Sequence, residues 1–319
     1  MLLRVGCHSF GSGTDLQPSA YRLSVPSLSA PQNHQPAATM FDSNEYELLG
    51  FGQGEKLERF GGIVVRRQTP SVPDHGKRPA VDQILAQLSY RRSVGSPAGN
   101  WTGDVDQTWS VSHNDATFQL RATPTGQVGI FPEQASNWDW IRNSKLNLHG
   151  LKAINLFGYT GGTTMALAKA GAEVTHVDAA KTVVSWAREN ATVSLLQDHP
   201  IRWITEDALR FTEREVKRGR RYDIFVADPP SFGRGPSGET WKMERDIGKL
   251  LSTAALLTGN DPKMIIISGH TPGFDAQRFA REVSLAWGIA EAQIESGTLE
   301  LTTSDGRRLP SGEFARWHQ

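Results

Sequence analysis

The chain has 319 residues, 34 Lys plus Arg against 34 Asp plus Glu, and one cysteine, Cys7. That length holds one large α/β domain and a smaller one, and the balanced charge means that any nucleic-acid site has to be a local patch. A lone cysteine excludes internal disulfides and cysteine metal clusters, and no apolar run approaches the roughly 20 residues that cross a bilayer, so a soluble, cytoplasmic protein with no metal and no membrane partner is expected.

Residues 1–40 are rich in Ser, Pro, Gln and Ala and lack a sustained hydrophobic period, the pattern of a disordered extension. Met1 to Val5 is too short an apolar segment for a secretory signal. Two readings stay open, an organelle-targeting segment or a start assigned upstream of the real one. Met40, immediately before the first organised stretch, favours the second.

From 41 to 130 the texture is β-rich. Residues 46–49 and 62–67 read as strands around glycine turns at Gly52, Gly54 and Gly61, and 109–112 and 117–122 as two more. The polar, Pro-containing section 69–100 carries at most a short helix at 81–88. The expectation is a small antiparallel domain ahead of the main one. Trp101, Trp109, Trp138 and Trp140 can pack a small core or stack on unpaired bases, and packing is favoured. A helix bearing Trp138, Trp140 and Ile141 then joins the two domains. Glu133 and Gln134, just before it, either line the cleft or belong to a polar linker.

The main domain, 131–319, is organised around 152–178. Ala153 to Phe157 is an apolar run suited to a strand buried on both faces. It ends in Gly158-Tyr159-Thr160-Gly161-Gly162, a helix follows to a stop at Gly171, and a second strand ends at Asp178. In a parallel sheet this unit brings loop and acid together at the carboxyl edge, where an adenosine-bearing ligand lies. Glycines at 158, 161 and 162 do not match the G-x-G-x-x-G of a pyrophosphate cradle. They suit a sulfonium amino acid joined to a nucleoside, with Asp178 accepting the ribose hydroxyls at ~1.5–3 kcal/mol per charge-assisted bond. The plainer alternative is an ordinary βαβ unit.

Further on, 180–196 has helical spacing and 201–204 reads as a third strand. Asp207 and the Ala208 amide stand where an adenine amino group is met; Asp207 also suits an N-cap, and one residue can do both. Arg214, Lys217, Arg218, Arg220 and Arg221 form a basic run, either a solvated helix end or a phosphate contact. A fourth strand over 222–227 leads into Asp228-Pro229-Pro230-Ser231-Phe232. Prolines have no N–H to donate, so this edge offers acceptors, with Phe232 as an aromatic face, to a planar substrate bearing N–H groups. Residues 233–240 read as a mobile lid. A helix over 241–257, a fifth strand at 264–268, a helix from Asp275 to about 287 and two final strands complete the pattern. The fold expected is α/β, a doubly wound seven-stranded Rossmann-like sheet.

The loop at 158–162, Asp178, Asp207 and Asp228-Pro229-Pro230, in that order and spacing, resemble a class I S-adenosylmethionine-dependent methyltransferase. More narrowly, Asn155 to Gly162 with Asp228 to Phe232 resemble the bacterial large-subunit ribosomal RNA methyltransferases, a group with cytosine-C5 and guanine-N7 enzymes. The resemblance implies an S-adenosyl-L-methionine site at Phe157, Tyr159, Thr160, Gly161, Gly162, Asp178, Ala179, Asp207, Ala208 and Asp228. It places Asp228, Pro229 and Phe232 against the acceptor, and it implies an RNA partner. The chain departs from the cytosine-C5 branch: its loop after the fifth strand reads Ser268-Gly269-His270-Thr271, without the cysteine that adds to carbon-6. The family's N-terminal RNA-binding module is not evident either. Methylation of a nitrogen of an RNA base is therefore expected, with His270 as a candidate second polar group. The alternatives are methylation of a small molecule or protein side chain, or a non-catalytic RNA-binding relative, against which the intact Asp228-Pro229-Pro230 argues. No pattern sets the oligomeric state.

Overall fold

The computed structural model describes residues 41–69, 72, 85–96, 98–104 and 106–319. The expectations for 1–40, Cys7 included, lie outside the described residues.

The N-terminal part is a five-stranded sheet of β1 (Tyr46–Gly52), β2 (Glu55–Phe60), β3 (Ile63–Gln68), β4 (Leu88–Arg92) and β5 (Gly99–Gly103), in that spatial order. A separate hairpin follows, β6 (Trp109–His113) and β7 (Ala116–Leu120). Three of these strands were not expected. β2 carries Glu55, Lys56 and Glu58, residue types that normally signal surface, yet all three are buried. Charge pairing accounts for this. Arg67 grips Glu58 through Nε at 2.9 Å and through Nη2, Tyr46 donates to it at 3.1 Å, and the Lys56 ammonium lies 3.4 Å away. Burial alone would raise the Glu58 carboxyl, but Arg67 and Lys56 hold it below the ordinary range. β4 and the start of β5 fall in the section taken as polar. β3 and β4 pair in parallel, so the sheet is not purely antiparallel. Of the short helix expected at 81–88, residues 81–84 are outside the described set, 85–87 are not helical and Leu88 opens β4.

After a 3-10 turn at Pro132–Gln134 come α1 (Ala135–Arg142), β8 (Lys152–Leu156), α2 (Gly162–Lys169), β9 (Glu173–Asp178), α3 (Lys181–Val193), β10 (Ile201–Thr205), α4 (Ala208–Lys217) and β11 (Ile224–Ala227). A short hairpin, β12 (Phe232–Arg234) and β13 (Thr240–Lys242), precedes α5 (Met243–Leu257), β14 (Met264–Gly269), α6 (Ala276–Trp287), β15 (Glu295–Thr302) and β16 (Arg308–His318). The main sheet has the order β10-β9-β8-β11-β14-β16-β15, parallel through β14, with β16 antiparallel to both of its neighbours. This is the doubly wound seven-stranded sheet expected.

Side-chain alternation sorts the core into two layers. Ile224, Val226 and Ile266 face α1, α2 and α3, and their apolar cluster runs on into Leu48, Phe60, Leu88 and Phe118 of the N-terminal strands. Phe225, Ala227 and Ile267 face the cluster built on α4, α5 and α6. Trp138 stacks on Phe118 at 5.2 Å, and Trp101 Nε1 donates to the Thr123 carbonyl at 2.7 Å. These tryptophans pack. Among the described residues no helix is long and apolar enough to cross a membrane. Chain order reverses between β8 and β11, the point at which an open α/β sheet leaves a crevice at its carboxyl edge.

Candidate active site

That crevice is a cavity of about 340 Å³, within the range of small-molecule sites. The ends of β8, β9, β10 and β11 all reach it. Phe157 and Tyr159 come from the first, Asp178 and Ala179 from the second, Asp207 and Ala208 from the third, Asp228 and Pro229 from the fourth.

The loop after β8 is held in an uncommon shape. Phe157 and Tyr159 have φ of 56° and 48°, and Gly161 has φ of 93°. Left-handed backbone at two non-glycine residues costs about 1–3 kcal/mol each and persists only where the surroundings enforce it. Here they do. The Tyr159 N–H donates to Asp178 Oδ2 at 3.0 Å, and Phe131 and Trp241 pack on the Tyr159 and Phe157 rings at 5.0 Å each. Beneath the loop, Asn155 Nδ2 donates to Thr164 Oγ1 at 2.9 Å, and Thr164 lies 2.8 Å from His176 Nδ1. A Cβ on Gly158 would stand 2.5 Å from the His176 ring, and one on Gly162 would stand 2.3 Å from Trp138. Space alone already requires these two glycines.

Thr160, Gly161 and Gly162 are not brought to the cavity wall. Thr160 is buried, donates to the Gly129 carbonyl at 2.6 Å and accepts on its own carbonyl from Asn190 at 2.9 Å. Gly161 caps α2. All three shape the loop that presents Phe157 and Tyr159.

Asp178 accepts the Ala180 N–H on Oδ1 at 2.9 Å in addition to that of Tyr159 on Oδ2, and it lines the cavity. Burial lifts its carboxyl above the usual range, against the pull of the Ala180, Tyr159 and Ala179 amides. Asp207 is the N-cap of α4, accepting from the Arg210 N–H at 2.9 Å, and lines the cavity as well.

Asp228 is the most constrained group. Ser268 Oγ donates to Oδ1 at 2.8 Å and Gln134 Nε2 to Oδ2 at 3.0 Å. Gln134 is itself fixed by Asn137 Nδ2 at 2.8 Å, and Asn137 accepts from Arg316 at 3.3 Å. Burial raises the Asp228 carboxyl, partly offset by the Ser268 hydroxyl and by His270. Ser268 was not singled out from sequence. Its signal is its place at the end of β14, next to the strand that carries Asp228.

Three expectations change here. The Pro230 carbonyl does not face a substrate freely, because Trp241 Nε1 donates to it at 2.7 Å. Residues 233–240, read as a mobile lid, lie within the β12–β13 hairpin, with Gly233, Arg234 and Gly235 on the cavity wall and Glu239 tied to Arg210 of α4 at 2.8 Å. Phe232, on that hairpin, is 52% exposed and does not line the cavity. Glu133 and Gln134, whose role the sequence left open, both line it, as does His270. The basic run sits at the C-terminal end of α4, whose N-cap is Asp207, about 15 Å away along ten residues of helix. Glu206 and Glu215 neutralise Arg214 and Arg218 there.

The cavity fits a sulfonium nucleoside. Carboxylates face it at the ends of β9, β10 and β11, and aromatic walls flank it. The family model for S-adenosylmethionine-dependent methyltransferases matches residues 75–285. Over 271 residues, 79% of this chain, the sequence is 30% identical to a ribosomal RNA large subunit methyltransferase K/L of Alteromonas mediterranea. It is also 25% identical over 162 residues, 50% of this chain, to a ribosomal RNA large subunit methyltransferase K of Neisseria meningitidis. The chain spans 37% and 45% of those two relatives. A solved SAM-dependent methyltransferase from Agrobacterium tumefaciens matches with 31% identity and a TM-score of 0.75, covering 86% of this chain and 90% of that one.

Proposed function

The chain belongs to the S-adenosylmethionine-dependent methyltransferases, and from that premise we propose that it methylates a nitrogen of a ribosomal RNA base, in the cytoplasm. The cofactor, when bound, supplies an electrophilic methyl group. The protein's part is to hold the acceptor in line and keep water out, which for a displacement of this kind supplies most of the acceleration. One observation carries the reading: Asp228, half-buried, with both oxygens tethered, opens onto the same cavity as Asp178 and Asp207. A carboxylate so placed accepts an N–H of the base and takes up the charge that develops on an exocyclic amine. The Pro229 carbonyl adds a second acceptor. Absence of a cysteine at 268–271 argues against carbon-5 chemistry, and the names of the relatives support RNA.

RNA-dependent transfer of labelled methyl groups, with a salt-sensitive rate, tests the proposal. Label reaching only small metabolites rejects it. Mass spectrometry of ribosomal RNA nucleosides from cells with and without the protein identifies the base. In the same assay set, Asp178→Ala is expected to weaken S-adenosylmethionine binding by ~10–100-fold, the loss of a charged hydrogen-bond pair. Unchanged affinity by calorimetry would contradict the role given to Asp178.

A further inference from the structure

A second cavity, about 210 Å³, adjoins the first and shares Phe131, Glu133, His270 and Ser311 with it. Its other side is the N-terminal sheet. Lys56 on β2 is the register partner of Arg67 on β3, which is paired in turn with Tyr90 on β4. Arg92, two residues beyond Tyr90, points to the same face. Lys56, Arg67 and Arg92 all line the cavity. Arg67 is committed to structure: besides Glu58 it serves the Gly126 carbonyl and Gln127 Oε1, each at 3.1 Å. Glu58 has to answer both Arg67 and Lys56, so the row keeps a surplus of positive charge. Arg92 is exposed, and among the described residues nothing pairs with its guanidinium.

The shared wall has the opposite character. Glu133 Oε2 is buried and, among the described residues, accepts no hydrogen bond. Glu133 lines both cavities, and an N–H group brought against it by a small turn of the side chain satisfies an acceptor whose lack of a partner costs about 1–3 kcal/mol. A ligand that brings an anion to Arg92 and an N–H group to Glu133, within reach of the methyl-donor cavity, has the chemistry of a nucleotide.

We propose that the second cavity is a subsite for the nucleotide next to the one methylated, with its phosphate against Arg92 and Lys56 and its base edge at Glu133. This rests on the RNA reading above. It also supplies the local basic patch that a chain of zero net charge requires, and sets it on the N-terminal sheet rather than at the end of α4.

The test is anisotropy of labelled single-stranded RNA oligonucleotides on the full chain, saturated with S-adenosylhomocysteine, over a salt series. Arg92→Gln is compared with Arg91→Gln, which removes the same charge from the other face of β4. Arg92→Gln is expected to weaken RNA binding by ~5–10-fold and lower the salt slope by about 1. Arg91→Gln is expected to leave it within about twofold, and donor affinity is expected to be unchanged in both. Equal behaviour of the two variants, in a protein that binds and methylates RNA, overturns the subsite and spares the RNA reading. A wild-type protein that neither binds nor methylates RNA overturns the reading itself. Loss of binding to a labelled acidic peptide, in place of RNA, on Arg92→Gln overturns the nucleotide assignment.

Discussion

Asp228→Asn is expected to lower kcat by ~10²–10³-fold while changing S-adenosylmethionine affinity by less than about fivefold. The two side chains have nearly the same shape, so the cavity wall survives. What goes is the negative charge, at the point where a methylated amine becomes positive. Local bonding decides how the amide sits. Both Asp228 oxygens are acceptors, one toward Ser268 Oγ and one toward Gln134 Nε2. Gln134 cannot turn over without losing the bond that its Oε1 accepts from Asn137, so the new oxygen stays with Gln134. The new NH₂ then faces Ser268, whose hydroxyl can rotate to accept. The fold is preserved and the charge is lost, which makes the variant a clean probe of chemistry. Single-turnover rates with RNA at saturating donor give the answer. A drop under about fivefold would mean that Asp228 only positions, as expected for a ring nitrogen that has no proton to lose. Because burial raises this carboxyl, the wild-type rate is expected to fall as pH drops through its pKa, and that acid limb is expected to vanish in the variant.

The main sheet was legible because its strands are buried on both faces and its helices carry one apolar stripe, patterns that survive in the sequence. Met264 to Ile267 and Ile224 to Ala227 are short apolar runs of this kind, with every residue buried. The strand tips were legible for a related reason: an acid or a glycine run just past a buried strand has few structural uses. Two kinds of information were hidden. In β2, charged residues are buried against partners on the neighbouring strand, as Glu58 is against Arg67, so local polarity points the wrong way. In the loop after β8, glycine marked both a ligand site and a packing need, and the need decides at Gly158 and Gly162, where His176 and Trp138 fill the space. The polar shell of Asp228 was invisible for a third reason. Gln134 and Ser268 stand 94 and 40 positions away along the chain, and only the register of the sheet and the turn before α1 bring them together.

His176 is expected to make the protein acid-labile well above the pH at which ordinary carboxylates titrate. Its ring is wholly buried under the methyl-donor loop, packed on Trp203 at 5.0 Å, and burial lowers its pKa from 6.5 to about 3. The folded value lies below the unfolded one, so as pH falls the unfolded chain takes up the proton first. Stability is full above about 6.5 and is lost progressively toward about 3. Between pH 7.5 and 5 that amounts to about 2 kcal/mol from this one group. Asp178, Asp228 and Glu133 act in the opposite direction, because their carboxyls are raised and the folded state binds their protons first. The useful comparison is therefore with His176→Gln, which keeps the carboxyls and a polar partner for Thr164. That variant is expected to be weaker at pH 7.5 by ~1–3 kcal/mol, through lost ring packing. Its denaturant midpoint is then expected to fall less than that of the wild type on going to pH 5. Parallel midpoints over that window would show that His176 is not the titrating group. The same proton has a functional cost. Gly158 has no room above the imidazole, so a ring that has to charge and find water displaces the loop carrying Phe157 and Tyr159. S-adenosylmethionine affinity is accordingly expected to decline in step with stability in the wild type, and to stay flatter in the variant.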